Sequence, residues 1–158
     1  MAMRWSDIPA EINALSERVI GCAIEVHRTL GPGLAEAIYE AALSHELDLA
    51  GIPYQQQVVV RSDYKGVELP PQRLDLVVDN TIVLELKATE RIADAHLAQL
   101  LSYLHYGRYP VGLLLNFNTP VLTQSIHRRV NERALRPQPR AASSAISASS
   151  PRPPRTHF

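Results

Sequence analysis

The sequence predicts a mixed α/β domain in which helices flank a central mixed β-sheet. Three observations carry that expectation. Residues 8–30 and 34–50 place apolar side chains at spacings of three and four, the period of an amphipathic helix. Residues 74–87, Leu-Asp-Leu-Val-Val-Asp-Asn-Thr-Ile-Val-Leu-Glu-Leu-Lys, read as two short apolar strands around a polar turn at Asp79-Asn80, a favoured hairpin signal. A helical stretch at 93–106 then separates this hairpin from the fully apolar strand 111–116. A helix crossing between two strands suggests that they run parallel, with a right-handed connection.

In the first helix the stripe is Ile8, Ile12, Leu15, Val19, Cys22, Val26 and Leu30, with Ser6 or Asp7 as cap and Pro9 in the opening turn. Cys22 falls within the stripe and reads as a small core residue, and His27 as a boundary residue. Gly31-Pro32-Gly33 stops that helix. The second helix is expected to bury Leu34, Ile38, Ala42, Leu43, Leu47 and Leu49, and Gly51-Ile52-Pro53 ends it. Taken alone, Glu36 on this helix reads as a solvated carboxylate. Residues 57–61 form a Val-rich strand, Tyr64-Lys65-Gly66 a turn, and Pro70-Pro71 a break before the hairpin. The third helix, capped near Asp94 and ended by Gly107, turns Leu97, Leu100, Leu101 and Leu104 inward, with Gln99 and Tyr103 sharing another face. Periodicity does not separate strand from helix at 123–130; strand is the favoured reading.

Of the 158 residues, 1–135 are expected to form one domain and 136–158, rich in Pro, Arg, Ser and Ala, a disordered tail. Residues 1–135 hold 12 Lys+Arg against 16 Asp+Glu, so nothing in the bulk charge argues for nucleic-acid binding and any such role needs a local basic surface. The single Cys22 excludes an internal disulfide and suits a reducing compartment. No apolar run approaches the roughly 20 residues that span a bilayer, and the N-terminus lacks the pattern of a secretory signal. A cytoplasmic protein without a membrane partner is expected. There is no internal repeat, Gly-rich phosphate loop, Cys/His zinc pattern or Ser-centred elbow.

Charge inside the hairpin is the chemical signal. Strands this rich in Val, Ile and Leu are covered on both faces, so Asp75, Glu85 and Lys87 need partners or a ligand. Glu85 and Lys87, two apart, share one face of their strand. If Asp75 lies opposite Glu85, the hairpin closes symmetrically around Asn80 with a loop of about three residues. Two carboxylates and an ammonium then meet on one buried face. A structural ion network is the plain alternative, although such networks are worth little stability compared with apolar replacements.

Asp75, a ten-residue step and then Glu85-Leu86-Lys87 resemble the signature of the PD-(D/E)xK nuclease superfamily, with Leu74 where the leading Pro is often found. Gln99-Leu100-Leu101-Ser102-Tyr103 resembles the Q-x-x-x-Y motif of one branch. Gly33-Leu34-Ala35-Glu36-Ala37-Ile38-Tyr39 matches the G-x-x-E-x-x-Y signature of a small bacterial family assigned to this fold, and Val26-His27, His96 and residues 112–117 look like its surroundings. The resemblance spans about residues 10–130. It implies a restriction-endonuclease-like core and a nuclease acting on DNA, with RNA as the second choice. It also implies that Asp75, Glu85 and the Leu86 carbonyl hold Mg²⁺ (or Mn²⁺), a hard ion suited to oxygen donors. By the same resemblance Lys87 serves the attacking water, Glu36 completes the metal shell directly or through a water, and Gln99 and Tyr103 contact phosphate or steady Lys87. His96 reads equally as a cap, a site contact or a structural histidine, and Tyr39 chiefly as packing. Two rival readings remain: a non-catalytic nucleic-acid binder using Arg108, Arg128, Arg129 and Arg133, and a protein-interaction module. A domain this small has little room for a separate DNA-reading element, so low sequence specificity, dimerisation or a substrate-delivering partner is expected.

Overall fold

The computed structural model describes residues 4–136. The expected tail, apart from Arg136, lies outside the described residues. The elements are α1 (Ala10–Leu30), α2 (Glu36–Leu49), β1 (Tyr54–Val60), β2 (Asp63–Tyr64), β3 (Val67–Glu68), β4 (Gln72–Val78), β5 (Ile82–Lys87), α3 (Asp94–Gly107), β6 (Val111–Asn116), β7 (Ile126–Val130) and α4 (Glu132–Leu135). Five strands form one mixed sheet in the order β1-β4-β5-β6-β7, while β2 and β3 make a separate small hairpin. The β5–β6 pair is parallel, as the helical crossover predicts, and every other pair in the sheet is antiparallel.

The central hairpin follows from its turn. Val78 pairs with Ile82 across a three-residue loop, and Asp79 and Asn80 both take φ near +50°. Asn and Asp tolerate that left-handed region better than other side chains, and Thr81 N–H closes the turn on the Val78 carbonyl at 2.9 Å. Every residue of β5 except half-buried Lys87 is buried, as expected for a strand covered on both faces. On one side Leu76, Val78, Leu84, Leu86, Leu113 and Phe117 pack under α1 and α2; on the other Leu74, Val77, Val83 and Leu114 pack under Leu100, Tyr103 and Leu104 of α3.

Several inward and capping assignments change. Asp7 does not cap α1, because its Oδ2 accepts the Arg4 N–H at 2.8 Å within a 3₁₀ turn of its own, Trp5–Asp7, and Pro9 takes the cap position. In α2 the buried line is Tyr39, Leu43 and Leu47, while Ile38 and Leu49 are 47% and 69% exposed. Residues four apart stack along one narrow line, and Ile38 is turned about 100° away from it. Leu101 of α3 is 45% exposed for the same reason, and Leu30 at the end of α1 is exposed as well. His27 is buried, not a boundary residue, with Nε2 2.8 Å from the Thr119 carbonyl. Cys22 is half-buried against the core. Residues 122–125 form a 3₁₀ turn that leads into the edge strand β7.

Among the described residues no helix is long and apolar enough to cross a membrane. Gly112 on β6 lies directly beneath α3: a Cβ there would sit 2.8 Å from Leu100 Cδ1 and 3.1 Å from Leu104 Cδ2. Gly112→Ala is therefore expected to cost about 1–3 kcal/mol through overpacking, measured as a lower urea midpoint with an unchanged m-value.

Candidate active site

The site forms where the sheet stops pairing. The β4–β5 ladder runs from Val78↔Ile82 to Leu76↔Leu84, and the next step in that register brings Asp75 opposite Glu85, as the sequence predicts. There the side chains replace the backbone pairing. Asp75 N–H donates to Glu85 Oε1 at 3.3 Å, and Leu86 N–H donates to Asp75 Oδ2 at 2.9 Å. The other side of β4 lapses at the same level. The β1–β4 ladder passes from Gln56↔Leu76 to Val58↔Leu74 and omits Gln57, whose φ is +51°. A non-glycine residue held in that region costs free energy and marks a position that its surroundings over-determine.

Helix α2 closes over this gap, and its placement depends on Tyr39. The Tyr39 hydroxyl donates to the Gly31 carbonyl at 2.6 Å and accepts the Leu34 N–H at 3.1 Å, while its ring stacks on Phe117 with centroids 4.5 Å apart. These contacts tie the 31–34 turn, with Gly33 at φ +97°, to the sheet. Glu36 then becomes the first residue of α2, exposed at the mouth of a cleft of about 310 Å³ lined by Glu36, Ala37, Glu40, Gln57, Asp75 and Leu86. Sequence reasoning missed Glu40 and Gln57. Gln57 Nε2 donates to Glu40 Oε1 at 2.6 Å, and burial, followed by the Asp75 carboxylate, holds the Glu40 carboxyl above its ordinary range. The available signal was spacing: Glu40 lies one helical turn beyond Glu36, on the same side.

From the α3 side Tyr103, 7% exposed, faces the pair: burial, then Glu85, then Asp75 raise its phenol pKa. Lys87 ends β5 half-buried, and its charge acts on Glu85 against burial and the Asp75 carboxylate. Gln99 is exposed on α3, one turn from Tyr103. His96 is a cap, its Nδ1 accepting the Ala93 N–H at 3.1 Å. Asp75, Glu85, Lys87 and Tyr103 thus form one electrostatic unit, and Glu36 and Glu40 border it across the cleft. Among the described residues no three Asp, Glu, His or Cys side chains group closely enough to hold a metal ion by themselves, so Glu36 is not drawn into one cluster with Asp75 and Glu85.

A family model described as the PD-(D/E)XK nuclease superfamily matches residues 13–130. The chain belongs to that superfamily. No curated protein and no solved structure matches it. The mixed five-stranded sheet flanked by helices is the restriction-endonuclease-like core of such nucleases, and the matched span runs from α1 to the last residue of β7.

The superfamily's nucleases typically depend on a divalent metal, and the donor chemistry of this site fits one. Burial first, and then the facing Asp75 carboxylate, push the Glu85 carboxyl up to about 8, with Lys87 opposing the shift. Two hard oxygen donors beside a single ammonium suit a divalent cation, whose charge would favour the ionised form of Glu85.

The Glu85 shift makes stability depend on pH. The folded pKa lies above the ordinary value of 4.5, so the folded chain binds more protons than the unfolded chain between about 4.5 and 8, and stability falls as pH rises through that window. In chelator, the melting temperature is expected to decline from pH 5 to pH 8, Glu85→Gln to flatten the decline, and Mg²⁺ at pH 8 to raise it in the parent protein alone. A pH-independent melting temperature in the parent would contradict this. Tyr39→Phe keeps the ring stacking but loses both hydroxyl bonds. Its expected cost is about 1–2 kcal/mol by urea unfolding.

Proposed function

We propose that this protein is a divalent-metal-dependent nuclease that hydrolyses phosphodiester bonds of DNA, with RNA as the second substrate, within the G-x-x-E-x-x-Y branch of its superfamily. One observation carries the reading: Asp75 and Glu85 each bond the other strand's backbone inside a gap in the sheet, Glu85 two residues from Lys87, and Asp75 opens onto a cleft beneath α2. A buried carboxyl facing a half-buried one, at the cost of two ladder positions, makes little sense as a stabilising device.

Asp75, Glu85 and the Leu86 carbonyl would hold Mg²⁺, with Mn²⁺ as a substitute. The bound ion would neutralise phosphoryl charge and make water a stronger nucleophile. Lys87 Nζ, held near Glu85, orients the attacking water and offsets the negative charge that develops on the phosphoryl oxygens. Tyr103, its phenol kept protonated, supports the carboxylates from the α3 side, and Gln99 at the exposed flank of α3 meets phosphate. Glu36 draws water into the cleft. Glu40 and Gln57 fix its far wall and keep β1 away from Asp75. The nuclease unit comprises residues 1–135 of a cytoplasmic, bacterial-type protein; a unit this small has little room for a separate reading element, so it cuts with low sequence specificity, acts as a homodimer, or takes its substrate from a partner.

Purified protein incubated with plasmid, single-stranded DNA and RNA is expected to cleave in Mg²⁺ or Mn²⁺ and not in chelator. Lys87→Ala and Asp75→Ala are each expected to lower the rate about 10²–10⁴-fold. Cleavage that survives in both variants would sink the proposal.

A further inference from the structure

We propose that the cleft between the last turn of α3 and α4 binds single-stranded nucleic acid, as a landing site for the substrate strand; the landing role rests on the nuclease reading, the binding does not. The cleft has a volume of about 420 Å³ and is lined by His105, Tyr106, Arg108, Asn131, Arg133 and Ala134. It continues into a second hollow of about 680 Å³ that also touches Leu101, Ser102 and Arg136. Both volumes lie within the range of sites that accept small organic groups. Its walls are fixed: the buried Asn131 side chain donates to the Leu104 carbonyl at 3.0 Å, and its N–H to the Pro110 carbonyl at 2.8 Å, which pins α4 to the end of α3.

Charge selects a polyanion. Among the described residues after His105 five are arginines and one is acidic, and Arg108, Arg133 and Arg136 line the two hollows. The one later acid, Glu132, lines the second hollow and pairs with Arg136 at 3.7 Å. Among the described residues Arg108 and Arg133 have no ion-pair partner and are exposed. Arg108 also occupies the left-handed position after α3, φ 59° and ψ 35°, where glycine costs least. Gly107 beside it serves a different need, since a Cβ there would lie 2.5 Å from the Tyr109 ring.

The aromatic component selects a single strand. Tyr106 is 50% exposed, and its ring stands edge-on to His105 at 5.7 Å between centroids. An open ring within a basic cleft stacks on an unpaired base, whereas the base faces of a duplex are already covered by their neighbours. Gln99, Ser102 and Tyr106 follow one side of α3 at i, i+3 and i+7. At 1.5 Å per residue Tyr106 lies about 10 Å from Gln99, so a strand stacked on Tyr106 and held by Arg108 and Arg133 runs along α3 toward the carboxylates.

The test is fluorescence anisotropy of the full chain in chelator, which suppresses cleavage, with a labelled single strand of about 20 nucleotides and a duplex of equal length. The single strand should bind more tightly. Tyr106→Ala should weaken it roughly 5- to 150-fold while Tyr106→Phe retains it. Arg108→Asn, which suits the left-handed backbone, combined with Arg133→Gln should lower the salt slope by about 1.4. Thermal melts should show all variants folded. Loss of strand binding in the cleft variants of a protein that never cleaves would uphold this cleft and defeat the nuclease reading. Cleavage with strand affinity unmoved by the cleft variants would do the reverse. Tighter duplex binding, or no nucleic-acid binding as in a protein-docking groove, would overturn the inference.

Discussion

Two carboxylates facing each other across a β-hairpin set the terms for the rest of this fold. Glu85 is buried and faces half-buried Asp75, and the backbone compensates first: their side chains take the N–H groups of Asp75 and Leu86 that the ladder would otherwise use. That exchange opens the sheet at one level. The strain at Gln57 on the far side of β4 and the cleft under α2 both occur at this level. The burial that makes the pair costly also strengthens its interaction with any cation that enters.

A gap in a sheet is useful only if it does not refill with apolar side chains, and α2 prevents this. Its buried line is narrow, three residues four apart, so that the flank bearing Glu36 and Glu40 remains over the opening. Tyr39 sets the angle of approach because its hydroxyl satisfies the turn that precedes the helix while its ring packs on Phe117. The G-x-x-E-x-x-Y spacing is thereby understood physically: glycine permits the turn, tyrosine anchors it, and the glutamate between them is delivered to the cleft mouth.

Long-range charge arrangement complements the local chemistry. Glu36, Glu40 and Asp75 line the cleft under α2, and Arg108, Arg133 and Arg136 line the hollows at the C-terminal end of α3. A polyanion would meet arginines at one end and carboxylates at the other. Such polarity favours one direction of approach over the surface.

The apolar periodicities, the Asp-Asn turn and the helical crossover were legible in the sequence because each depends on residues near one another in the chain. They determined the hairpin register, the parallel β5–β6 pair and the approach of Asp75 to Glu85. Which side of each helix faced inward was less legible: Ile38, Leu49 and Leu101 are as apolar as the residues that were buried, and only the angle of packing against the sheet distinguishes them. Glu40 and Gln57 met across a sequence separation of 17 residues, and Arg108 met Arg133 at one cleft, through contacts that no local pattern encodes. The chain by itself specified the elements and the chemically unusual charges. Tertiary packing alone decided which of those charges share a cavity, since that depends on how surfaces distant in sequence are brought together.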